Sequence, residues 1–129
     1  MQAGHLISIV DDDPSMREAL AGLVRSLGYD VRVFSSAEAF LQSSELGQFS
    51  CAITDIQMPG IDGFELKRLL DLHHGALPVI MITARAEPDL QEKALQSGAV
   101  CFLRKPLDAL TMAGCLEKAL ASRAEHAIK

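Results

Sequence analysis

The chain has 129 residues, 49% of them hydrophobic but only 5% aromatic and none tryptophan; this is one domain's worth of sequence with an aliphatic core, and it excludes disorder. Twelve basic side chains against seventeen acidic ones leave a formal charge of −5. That is the wrong sign for a domain whose task is to grip nucleic acid or anionic lipid, so no direct nucleic-acid or membrane partner is expected.

No apolar run approaches the roughly 18 residues that a membrane-spanning helix needs. The segment from Met1 to His5 lacks the basic start of a secretory signal, so a cytoplasmic location is expected. Cys51, Cys101 and Cys115 are odd in number, form no CxxC pair and each sit in an apolar stretch; they read as buried free thiols.

Short apolar runs alternate with segments of helical period. Leu6–Val10 (LISIV) reads as a strand covered on both faces. Asp13-Pro14 then gives an N-cap and a first helical proline, opening a helix with Met16, Leu20, Leu23 and Leu27 on one side and a stop at Gly28. Val31–Phe34 is the second strand, and Ser35 with Glu38 forms a candidate capping box for a short helix through Leu41. Cys51–Thr54 is the third strand and runs directly into Asp55. A loop with Pro59, Gly60 and Gly63 leads to a helix carrying Phe64, Leu66, Leu69 and Leu70.

Val79–Ile82 is the fourth strand, ending at Thr83. Pro88–Ser97 is a weaker helix closed by Gly98. Val100–Leu103 is the fifth strand, ended by Lys105-Pro106, and the last helix starts near Asp108 with Leu110, Ala113, Leu116 and Leu120 at core spacing. Five such units predict an α/β fold, a parallel sheet with helices on both faces.

In open sheets of this kind, ligands bind outside the carboxyl ends of the strands. Those ends carry Asp11, Asp12 and Asp13, then Asp55, Thr83 and Lys105. Singly, each has an ordinary reading: Asp13 as a helix cap, Asp55 as a turn former, Asp62 as a turn residue ahead of Gly63, Lys105-Pro106 as strand punctuation. Together, acids, a hydroxyl and an ammonium from four segments converge on one edge. His5, His73, His74 and His126 are scattered without ligand spacing and carry no assigned chemistry.

The runs VDDDPSMR, TDIQMPGIDG, ITA and FLRKP together resemble the CheY-like receiver domain of two-component response regulators, and the resemblance covers essentially the whole chain. GYDVRVFSSAEAFL further resembles receivers of the FixJ/NarL group of transcription factors. The resemblance implies a doubly wound (βα)5 sheet of order 2-1-3-4-5, with a receiver over residues 1–122 and 123–129 as the end of the last helix or the start of a linker. It also implies that Asp55 accepts a phosphoryl group from a sensor histidine kinase or phosphotransfer protein, forming an acyl phosphate.

A carboxylate attacking a phosphate dianion meets like-charge repulsion, so cations are needed. By the same resemblance, Asp11, Asp12, Asp55 and the backbone carbonyl of Gln57 hold Mg²⁺, for which Mn²⁺ can substitute. Lys105 pairs with a phosphoryl oxygen and Thr83 donates its hydroxyl to another. Lys105–Pro106 is implied to be cis. Thr83 and Phe102 form the switch, repacking the face of the fourth helix and fifth strand, while Gln57 and Arg85 tune dephosphorylation. Cys101 and Arg104 stand where relatives often carry acids.

The implied role is a signalling switch that catalyses its own phosphorylation and dephosphorylation rather than a conventional enzyme. Phosphorylation-dependent homodimerisation and transcriptional output through a DNA-binding domain absent from this chain are expected. A stand-alone relay is the alternative. A Mg²⁺-dependent aspartyl phosphatase of the haloacid-dehalogenase type would instead use Asp11 and Asp13, but Pro14-Ser15 spoils that pattern. A flavodoxin-like FMN site would face three repelling carboxylates in its phosphate loop.

Overall fold

A computed structural model describes residues 4–75 and 77–128, the last six through their backbone alone. Five strands, β1 (Leu6–Val10), β2 (Asp30–Phe34), β3 (Cys51–Asp55), β4 (Val79–Thr83) and β5 (Cys101–Arg104), alternate with α1 (Pro14–Ser26), α2 (Ala37–Leu41), α3 (Gly63–His73), α4 (Leu90–Gln96) and α5 (Ala109–Ile128). All strand pairs are parallel, in the order β2-β1-β3-β4-β5.

The chain moves from β1 to one neighbour, β2, and then back across to β3 and outward. Because parallel crossovers are right-handed, that reversal puts α1 on one face of the sheet and α2, α3 and α4 on the other; α5, which follows the last strand, packs with α1. Alternating strand side chains feed the two layers. Ile7, Ile9, Ile53, Ile80 and Ile82 pack with Leu20 and Val24 of α1 and with Met112 and Leu116 of α5. Val10, Ala52, Val79 and Met81 pack with Phe40 of α2, Leu66 and Leu70 of α3, and Leu90 of α4. Three of the few aromatics, Phe34, Phe40 and Phe49, meet with ring centroids 5.3–5.9 Å apart under α2.

Local signals explain the helix ends. Asp13 caps α1, accepting from the N–H groups of Ser15 and Met16, with Pro14 in the first turn. Beyond the C-cap Leu27, Gly28 takes a φ of +98° that a side chain would resist.

Three expectations shift. The cap of α2 is Ser36, not Ser35: its hydroxyl accepts from the Ala39 N–H, and Glu38 turns away from the capping box to accept from the Ile61 N–H. The fourth helix begins at Leu90, two residues after Pro88, so it spans less than the 88–97 read from the sequence. On α5, Leu110 is 87% exposed, and the buried row is Met112, Cys115, Leu116 and Ala119. The three cysteines are free thiols, Cys51 and Cys115 buried and Cys101 half-buried. Among the described residues no helix is long and apolar enough to cross a membrane.

Candidate functional site

The reversal of winding between the parallel strands β1 and β3 leaves a crevice at their carboxyl ends, and the side chains there are acidic. Asp11 follows β1, is fully buried, and is held at both oxygens: Oδ1 accepts from the Asp13 N–H at 3.0 Å and Oδ2 from Lys105 Nζ at 3.0 Å. Asp55 closes β3 and is 7% exposed. Its Oδ2 lies 3.7 Å from the same ammonium. Asp12 is exposed beside them, and carboxylate oxygens of Asp11, Asp12 and Asp55 all lie within 4.8 Å of one another.

Three carboxylates crowd together, and among the described residues Lys105 is the cation that reaches their oxygens. Burial and the neighbouring Asp11 carboxylate push the Asp55 carboxyl up to about 6; Lys105 and the Gln57 N–H pull it down, and Asp12 adds to the rise. Gln57 contributes a second sign of unmet demand: its side-chain Oε1 is buried without a hydrogen-bond partner. A compact set of hard oxygen donors short of positive charge fits a small divalent cation such as Mg²⁺.

The backbone fixes this geometry. The Ile56 N–H donates to the Ile82 carbonyl, extending the β3–β4 ladder past Asp55, and the Lys105 N–H donates to the Thr83 carbonyl, carrying β5 up to the site. Asp62 caps α3 rather than serving only as a turn residue, accepting from the Glu65 N–H at 2.9 Å. A Cβ at Gly63 would sit 2.8 Å from the Asp55 carbonyl oxygen and 2.9 Å from the Ile56 Cα. Only glycine lets α3 start this close behind Asp55. The Lys105–Pro106 peptide is cis.

Thr83, fully buried at the end of β4, lies one residue beyond Ile82, the partner of Asp55 in the sheet. Its Oγ1 accepts from the Arg85 N–H at 3.0 Å, so its own hydrogen remains free to donate. Phe102 is half-buried against the α2–α3–α4 layer. The Arg85 side chain points to solvent and pairs with Glu87 at 3.2 Å.

Three contacts escaped the sequence reading. The Arg17 guanidinium donates to the Asp11 carbonyl at 2.8 Å, bracing the acidic turn. Glu38 reaches from α2 to the loop after β3. Arg104 stacks its guanidinium on the Phe102 ring. Arg17 stands within the acidic run's own motif and was the findable one; the other two are meetings of distant or unpatterned residues. Met16, Leu20 and Leu23 of α1 with Pro106 and Leu107 line an apolar hollow of about 270 Å³.

A protein-family model for the response regulator receiver domain matches residues 7–117. The chain belongs to that family. This receiver is similar to the transcriptional regulatory protein FixJ of Bradyrhizobium diazoefficiens, 36% identical over 98% of this chain and 60% of the relative. It is also similar to the response regulator protein TmoT of Ectopseudomonas mendocina, 38% identical over 89% of this chain and 52% of the relative. Among solved structures, FixJ-N superposes with a TM-score of 0.83 at 32% identity, covering 94% of this chain and 96% of that one. The chain thus spans little more than half the length of the curated relatives it matches.

Proposed function

We propose that this receiver takes a phosphoryl group from a sensor histidine kinase or phosphotransfer protein onto Asp55. The observation that carries the reading is the meeting of Asp11, Asp12 and Asp55 within 4.8 Å, with Lys105 reaching both Asp11 and Asp55. In the transfer, an Asp55 carboxylate oxygen attacks phosphorus, the phosphorus–nitrogen bond of the donor phosphohistidine breaks, and the donor imidazole keeps the electron pair. Asp11, Asp12, Asp55 and the backbone carbonyl of Gln57 would hold Mg²⁺, or Mn²⁺ in its place, which when bound supplies positive charge against the incoming phosphoryl oxygens.

The protein's own groups do the rest. Lys105, already 3.7 Å from Asp55 Oδ2, pairs with a phosphoryl oxygen. Thr83 donates its free hydroxyl hydrogen to another. That movement vacates space toward which the Phe102 ring turns, repacking the α4–β5 face as the output signal. Gln57 and Arg85 set how long the phosphoryl group persists; the domain catalyses its own phosphorylation and dephosphorylation without being a conventional enzyme.

Similarity to transcriptional regulators supports a cytoplasmic role in which phosphorylation drives homodimerisation and hence transcription, through a DNA-binding segment outside residues 1–129 rather than through this acidic domain. The phosphatase reading is disfavoured because its nucleophile, Asp11, is fully buried with both oxygens engaged.

Intact mass after incubation with acetyl phosphate and Mg²⁺ tests the proposal. A single phosphoryl adduct is expected in the wild type, dependent on the metal and lost in Asp55→Asn. An adduct that survives Asp55→Asn would move the acceptor elsewhere and overturn it.

A further inference from the structure

The sheet register places one more residue inside the switch region. On β4 and β5, Met81 pairs with Phe102 and Thr83 pairs with Arg104. Side chains two apart on a strand share a face, so Phe102 and Arg104 both lie on the α4 side, with Arg104 directly opposite Thr83. Arg104 is exposed, yet its guanidinium lies over the aromatic ring, with Cζ 5.2 Å from the Phe102 centroid, within the range of a cation–π attraction. Among the described residues Arg104 forms no ion pair, whereas nearby Arg85 pairs with Glu87 and Lys93 with Asp89.

We infer that Arg104 is a positioning residue that holds Phe102 in its unswitched arrangement. The inference rests on the phosphoacceptor reading above. For the ring to turn toward the space beside Thr83 it must leave the guanidinium, which attracts it in this arrangement and loses the contact in the other. An interaction present in one of two states shifts the equilibrium toward that state. By linkage, it also weakens the binding of anything that needs the other state. Arg104 therefore raises the threshold at which a phosphoryl group on Asp55 flips the α4–β5 face.

The test is a calorimetric titration of the intact chain with beryllofluoride, a phosphoryl mimic, at saturating Mg²⁺. A cation–π contact at a half-exposed site predicts that Arg104→Gln tightens apparent affinity by about two- to five-fold. Arg104→Lys, which keeps a cation, should fall between the two. In a Phe102→Leu background, Arg104→Gln should have no effect. Unchanged or weaker affinity in Arg104→Gln, or the same shift with and without the Phe102 ring, would overturn the latch while leaving the phosphoacceptor site standing. Absence of any Mg²⁺-dependent binding in the wild type would overturn both.

Discussion

At the scale of single residues, the site holds an electrostatic cost that can be measured without any phosphodonor. Asp55 is buried and faces the Asp11 carboxylate, and burial with this neighbour pushes its carboxyl up to about 6, whereas an unfolded aspartate titrates at about 3.9. Between those values the native state binds more protons than the unfolded state, so this group's contribution to stability falls as pH rises through about 6. Above that, ionised Asp55 costs on the order of 1–3 kcal/mol. In metal-free buffer Asp55→Asn should therefore be more stable than the wild type at about pH 8, and the gain should hold until about pH 6 and then shrink as pH falls toward ~4. Urea unfolding across that range checks it; a gain that ignores pH would assign the effect to packing rather than charge. The acids themselves were legible because each stands at the end of an apolar run. What they do to one another's protons was not, since that depends on distances between segments far apart in the chain.

Elements were read from periodicity, and α5 shows where periodicity stops. Leu110, Ala113, Leu116 and Leu120 sit at helical spacing, yet the buried row starts at Met112, and Leu110 is 87% exposed. The residues between offered an almost equally apolar alternative phase: in a helix with this many alanines, cysteines and leucines, the sequence does not choose the face. The docking surface does, and here it is set by Ile80, Ile82 and Leu103 from the sheet. Met112→Ala should therefore cost about 2–5 kcal/mol as a large-to-small core change, while Leu110→Gln should fall within about 0.5 kcal/mol of the wild type. Thermal melts of the two variants decide between the phases; comparable losses would mean that both residues are core. A similar ambiguity moved the cap of α2: Ser35 and Ser36 are adjacent and chemically equal, and Glu38, the partner that singled out Ser35, is drawn instead to the Ile61 N–H across the molecule.

For the whole molecule, continuous apolar strands between helices were enough to indicate a parallel sheet, but they carry no information on which strand neighbours which. The order 2-1-3-4-5 came from resemblance, and the pairings confirm it. That order matters because the acidic cluster is assembled from the ends of β1 and β3 and bridged by the lysine after β5, segments that meet only when the sheet is complete. A cation held there binds the native state and not the unfolded chain, and so stabilises the entire domain by mass action. At about a hundredfold excess over its dissociation constant, Mg²⁺ should add roughly 2.7 kcal/mol to the unfolding free energy. Asp12 and Asp13 then separate function from structure. Asp12→Ala removes a proposed ligand and should abolish most of the Mg²⁺-dependent increment. Asp13→Ala removes the cap of α1 and should cost about 0.5–2 kcal/mol with or without the metal, leaving the increment intact. Urea unfolding of the three proteins, with and without Mg²⁺, reads both effects in one experiment. If Asp13→Ala lost the increment and Asp12→Ala kept it, the metal would belong to the outer acid of the triplet and the assignment would shift by one residue.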